Sequence, residues 1–398
     1  MPPARSKPSM TRPARVGLPL LLLSLSCGGP DDGGGTDTDG TSVVGLFEGL
    51  FDDVVTGFNF PFDIAIAPGK ALEDQETEGE DDPAYDDLIA PGVIVVANYG
   101  TSELMLAGDP TGGSGGAATP LLDGTAEGLM GATAVAITPD RFVWATFEQG
   151  GVDGNGGIAI LDPDGALVQV IDGGVDAMAF ANPGGICFGG ATDDGNGALV
   201  DSFVFVINLG DGTAWRIDAD DTAGANPVVT RVGTGLARGT PGSPGSPGNG
   251  ITTSSELPQG GARGCAFHEG NLYVADAQNA RIVRFDGAHD DGEITGVALE
   301  DTPAELVTYP TDVTVNDEGF LIVISYDNAH AFVTLELPGG GFVDNGLHDL
   351  NVNAGNYGTA VAFETIWFTR ANNKNGSLRA VTPDQSHPPG TYEPFPPQ

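Results

Sequence analysis

One pattern recurs along the 398-residue chain and governs everything else that can be read from it: a turn residue, an apolar strand, a second strand ending in a small or polar residue, then a third strand. Its clearest copies are FPFDIAI with GVIVVANYGTSELMLAGD (60–109), RGCAFHEGNLYVADAQNARIVRFD (263–286) and YPTDVTVNDEGFLIVISYDNAHAFVTLEL (309–337). Weaker copies are GATAVAITPDRFVWATFEQGG running on to GIAILD (131–162), NPGGICFGG with SFVFVINLGDGTAWRID (182–218), and YGTAVAFETIWFTRANNKNGSLRAV (357–381). Aligning the first strands superposes Ile64, Val135, Ile186, Cys265, Val313 and Val361, at intervals of 71, 51, 79, 48 and 48 residues. The two long intervals carry insertions, the acidic stretch Glu73 to Asp87 and the Gly/Pro stretch GTPGSPGSPGNG (239–250). What remains is the spacing of a four-stranded propeller blade, about 40 to 50 residues.

Side chains one residue apart in a strand point to opposite faces, so size alternation reports packing. Ala65, Ala136, Cys187, Ala266, Thr314 and Ala362 place a small residue on one face of every first strand. The other face carries Ile64 and Ile66, Val135 and Ile137, Val313 and Val315. Crowded inner strands squeezed between neighbouring blades require such a division, and Gly, Asp and β-branched residues disfavour helix. The expected fold is all-β, a six-bladed β-propeller over 43–385, with a Pro-rich tail at 386–398. Because the sixth repeat supplies only three strands, residues Leu46 to Thr56 are expected to close the ring as the fourth. The helical spacing of Val43, Leu46, Phe47, Leu50 and Phe51 is the competing reading, weakened by Gly45 and Gly49. Reading Cys187 and Cys265 as lying on opposite faces of inner strands predicts two buried free thiols.

Ahead of the repeats, Arg5, Lys7, Arg12 and Arg15 form a basic region and Val16 to Leu25 an apolar run too short to span a bilayer. This is the shape of a signal peptide (1–26). Its end, Leu-Ser-Leu-Ser-Cys, resembles a bacterial lipobox and implies acylation of Cys27, although Ser24 stands where that motif prefers a large aliphatic residue. The stretch GGPDDGGGTDTDGT has almost no apolar side chain, so 27–42 reads as a disordered tether. The expected location is outside the cytoplasm, at the outer membrane or periplasmic face as a lipoprotein with membrane contact through the lipid alone, or otherwise secreted after ordinary signal cleavage. A net charge of −40 argues against nucleic acid as a partner. The expected partner is a protein or small molecule, bound by a monomer.

The blade YVADAQNARIVRFD and the entries LPQGGARGCAF and NPGGICF resemble those of NHL-repeat propellers and the related gluconolactonase-like group. That resemblance covers roughly residues 50–385 and implies architecture far more than activity, since propellers host unrelated functions. For the gluconolactonase-like group it implies a divalent metal at one mouth of the channel. The group's usual glutamate, two residues before the proline that opens the first blade, is Asn59 here.

Two sets of polar positions recur around the ring. The residues after the second strands are Asn98, Thr146, Asn208, Asp276, Ser325 and Arg370. Asn98, Asn208 and Asp276 are the candidate metal ligands and Arg370 a candidate ligand contact, although polar residues at hairpin ends also serve the turn backbone. Asp63 and Asp312 precede the inner-strand hydrophobe where other repeats carry Ala134, Gly185, Gly264 and Ala360, and they are candidates either for ligand contact or for turn capping. DGNGG (153–157) and DDGNG (193–197) invite a calcium ion but lack the closing glutamate of a calcium loop, and plain hairpin turns explain them as well. His268, His289, His330, His348 and His387 share no ring position, and no nucleophile elbow or phosphate loop is present. The favoured function is non-catalytic binding or scaffolding. The alternative is a metal-dependent lactonase or esterase.

Overall fold

The computed structural model describes residues 52–68, 87–107, 118–172, 180–190, 192–193, 199–200, 202–219, 229–236, 261–289, 294–295, 297–298, 309–315, 320–326, 330–335, 342–348, 356–362, 365–370 and 376–381. Cys27 with its leader and tether, residues 73–86 of the acidic insertion, the Gly/Pro stretch and the Pro-rich tail lie outside the described residues. Five sheets have four strands each, and a sixth has four antiparallel strands plus a short parallel one, Ile294–Thr295. Each runs outward from an inner strand, in chain order except for the last strand of blade six: Pro61–Ile66, Leu129–Ile137, Pro183–Gly189, Ala262–His268, Pro310–Val315 and Asn356–Ala362 for blades one to six. Every inner strand packs on those of the blades before and after it, and the sixth packs on the first, so the ring closes.

The closure is made by the N-terminal segment. Strand Asp52–Phe58 pairs antiparallel with Gly376–Val381 as the outer strand of blade six, with Val55 opposite Leu378 and Phe58 opposite Gly376. The described strand begins at Asp52, and 46–51 lie outside the described residues. Extended backbone over 52–58 rules out helix there, and the buried side chains of Val55 and Phe58 join Trp367, Leu378 and the blade-one residues Ile64, Ile94 and Val96 in one cluster.

Size alternation explains how blades stack. Ala65 of blade one packs with Val135 and Ile137 of blade two, Ala136 with Ile186 of blade three, Ala266 with Val313 of blade five, and Ala360 of blade six with Ile64 of blade one. The small residue of each inner strand therefore receives the large residue of the next blade. Cys187 and Cys265 obey the same rule, Cys187 in the small position of blade three and Cys265 in the large position of blade four. They form a disulfide across 78 residues with Cα atoms 5.6 Å apart. The expectation of free thiols is overturned for a plain reason: consecutive blades stack face to back, so opposite faces of neighbouring inner strands are the two that meet. Two further registers change. In blade six Thr359, not Val361, is the equivalent of Val313, because Thr359 pairs with Phe368 two residues before the strand end Arg370, as Val313 pairs with Val323 two before Ser325. A slip of two leaves every side chain on its own face, so alternation could not reveal it. In blade two Phe147, opposite Ala132, takes the place assigned to Thr146.

Two outcomes follow. A chain beginning at Thr41 should melt with the full mature protein, whereas one beginning at Asn59, stripped of Val55 and Phe58, should lose several kcal/mol, on the scale of a domain's margin of about 5 to 15; two thermal melts compare them. Replacing Cys187 and Cys265 together by alanine should lower stability by about 2 to 4 kcal/mol in denaturant titration, as expected for a loop this long.

Candidate axial site

Each inner strand enters its blade through a register jump: Pro61/Asp63, Ala132/Ala134, Pro183/Gly185, Ala262/Cys265, Pro310/Asp312 and Asn356/Thr359. Bulges of this kind re-aim a side chain. Of the skipped residues, Phe62, Thr133, Gly184, Arg263, Gly264, Thr311 and Tyr357 line a small axial chamber with room for about one water-sized body, together with Asp63, Ala134 and Asp312.

Asp63 and Asp312 fasten the ring. Asp63 Oδ1 accepts the N–H of Ile64 at 2.7 Å and Oδ2 that of Val135, in blade two, at 2.9 Å. Asp312 repeats the arrangement, Oδ1 accepting from Val313 at 2.8 Å and Oδ2 from Thr359, in blade six, at 2.7 Å. Each carboxylate thus ties its own inner strand to the next blade. Glycines make room behind them. A Cβ on Gly264 would stand 1.7 Å from Asp312 Oδ1, and one on Gly358 would stand 2.4 Å from the Cα of Asp63. Thr133 Oγ1 donates within reach of the carbonyls of Thr146 and Pro183, and Thr311 Oγ1 donates to that of Ile324.

Burial dominates the electrostatics. It pushes the Asp63 carboxyl up to about 7 against the two N–H bonds that favour its charge. Burial, then the nearby charge of Asp63, pushes Asp312 well above the carboxylate range. Burial likewise raises Tyr357, opposed by the positive charge of Arg263. The lining residues Phe62 and Tyr357 belong to an aromatic cluster with Phe60 and Tyr99, and Tyr326 packs against it. Phe62 stacks on Tyr357 with ring centres 4.2 Å apart, and the Arg263 guanidinium sits 5.3 Å from the Phe62 ring centre and 6.0 Å from that of Tyr357.

The strand-end set is occupied differently. Asn98 Oδ1 accepts the N–H of Asn59 at 2.8 Å and its Nδ2 donates to Thr101. Asn208 Oδ1 accepts the N–H of Ala181 at 3.4 Å, and Asp276 Oδ2 accepts from Asn279 Nδ2 and from Arg281 Nε at 2.7 Å. Ser325 and Arg370 close the second strands of blades five and six opposite Pro310 and Asn356. None of these strand-end residues lines the chamber, whereas Asp63 and Asp312 do. Residues 153–157 form the hairpin between Val143–Gly150 and Gly157–Leu161, with Gly154 and Gly156 at positive φ.

The sequence-based reading passed over Phe62, Arg263 and Tyr357. The signal was present one residue ahead of Asp63 and one ahead of Gly264, but a bulge has no sequence mark of its own. Nor do the residues fit a divalent cation in the chamber: its carboxylates spend both oxygens on backbone N–H groups, and a guanidinium stands beside them. Among the described residues no group of three or more His, Cys, Asp or Glu side chains could hold a metal ion.

No family model matches the chain, and no curated protein does. Solved structures similar to it include the PQQ-bound aldose sugar dehydrogenase of Streptomyces coelicolor, at 13% identity and a TM-score of 0.48 over 85% of this chain and 99% of that one. A gluconolactonase of Xanthomonas campestris gives 15% identity and 0.44 over 86% and 93%, and virginiamycin B lyase of Staphylococcus aureus 14% and 0.43 over 80% and 94%. Such distant likenesses carry no chemistry across, and the propeller assignment rests on the sheets themselves.

Because the folded-state value of Asp63 lies above the 3.8 of a free carboxyl, the folded chain holds the extra proton between about pH 4 and pH 7. Its contribution to stability is full below that window and is lost as pH rises through it. Melting curves of the wild type and Asp63→Asn, taken at steps across the window, should show the wild type losing stability relative to the variant. A constant offset between them would exclude the shift.

Proposed function

We propose that the protein is an exported, lipid-anchored β-propeller that acts as a non-catalytic binding or scaffold protein. The observation that carries this reading is the occupancy of the six bulge positions facing the axis, Phe62, Thr133, Gly184, Arg263, Thr311 and Tyr357. Their aromatic and guanidinium groups narrow the axial chamber to about one water-sized body, and both oxygens of each neighbouring carboxylate accept a backbone N–H within the ring. That leaves the loop faces as the surfaces for a partner. Export is supported by the leader-like residues 1–26 and by the disulfide, since such bonds persist chiefly in oxidising compartments. No helix among the described residues is long and apolar enough to cross a membrane.

One observation favours the alternative, a lactonase or esterase: a carboxyl pushed up to about 7 beside a cavity has the proton affinity of a general acid or base. Its two oxygens already accept backbone N–H bonds, however, which ties it to the ring.

Two measurements test the proposal. Purified protein supplied with calcium, zinc or manganese should hydrolyse aliphatic lactones and aryl esters no faster than buffer does. Saturable, chelator-sensitive turnover that falls in Asn98→Ala or Asp276→Ala would establish the hydrolase instead. In cells, Cys27→Ala or globomycin should abolish lipid labelling and shift the protein to the soluble fraction; unchanged membrane association in Cys27→Ala would overturn the anchor.

A further inference from the structure

Arg263 is the one lining residue of the axial chamber with a fixed positive charge, and it is only 6% exposed. Among the described residues its Nε has no hydrogen-bond partner, and no carboxylate forms an ion pair with it. The faces of Phe62 and Tyr357 hold the guanidinium in place without replacing the hydrogen bonds that water would give it. The two carboxylates that line the same chamber, Asp63 and Asp312, already accept two backbone N–H bonds each. A buried planar cation with unspent donors, facing a void of one-water size, has the chemistry of an anion receptor.

We propose that the axial chamber binds one small monovalent anion, of chloride or formate size, on the guanidinium of Arg263. The size limit comes from the chamber, which has room for about one water-sized body. The strong net negative charge of the chain, −40, does not forbid this, because surface charges are screened over about 8 Å at physiological salt while the guanidinium acts at contact distance. Burial also drives Asp63 and Asp312 towards their neutral forms, which removes most of the repulsion an anion would meet there. Such a site is independent of whatever binds the outer loops.

Chlorine NMR line broadening on the purified mature protein, in a gluconate background, tests the site directly. Chloride should give a saturable component of one site per chain, displaced by formate and lost in Arg263→Gln. Broadening that never saturates, or that persists unchanged in folded Arg263→Gln, would overturn the site. Should Arg263→Gln fail to fold, size selection in the wild type decides. Formate should displace chloride whereas benzoate, too large for the chamber, should not, and equal displacement by both would place the chloride elsewhere on the surface.

Discussion

The whole structure depends on blades stacking face to back around an axis. A sheet with both faces buried needs each inner strand to offer a hollow on one side and a bulge of hydrocarbon on the other. Here the hollow is an alanine or cysteine and the filling is the next blade's isoleucine, valine or cysteine, as in Ala65 against Val135 and Ala136 against Ile186. Close packing makes this complementarity directional. A ring built on such contacts is stable only when the last blade finds the first, which is why Val55 and Phe58 belong to the same cluster as Ile64 and Trp367.

Close approach at the axis brings a second constraint. Backbone N–H groups at the start of each inner strand are bent away from the ladder by bulges, and buried donors require partners. Asp63 and Asp312 supply them at two of the blade junctions, across to Val135 and Thr359, and glycines 264 and 358 clear the space they occupy. Burial of these carboxyls raises their affinity for protons, so the same groups that fasten the ring make its stability respond to pH. Arg263 lines the same chamber, with its guanidinium over the rings of Phe62 and Tyr357. The axis is thus held together by polar groups that face inwards.

Fold and site were legible to different degrees. Six repeats, small-to-large alternation and N-terminal closure could all be read from spacing, because blades recur locally and side chains alternate with a period of two. Blade six was misplaced by two residues, at Val361 instead of Thr359, since a slip of two preserves that alternation. The cysteines were read in the correct positions and still given the wrong partnership. Their faces are opposite within a single strand frame, yet they converge once blade three is stacked against blade four.

What the sequence determined by itself is whatever repeats within one blade: strand order, which face is small, and where polar residues end the second strands. What tertiary structure alone decided is what lies between blades. The carboxylate bridges to Val135 and Thr359 and the disulfide join residues 47 to 78 positions apart, and the axial chamber gathers Phe62, Arg263 and Tyr357 from blades one, four and six. Such pairings depend on how sheets are set against one another in space, a geometry fixed by packing over the whole ring and not by any local run of residues.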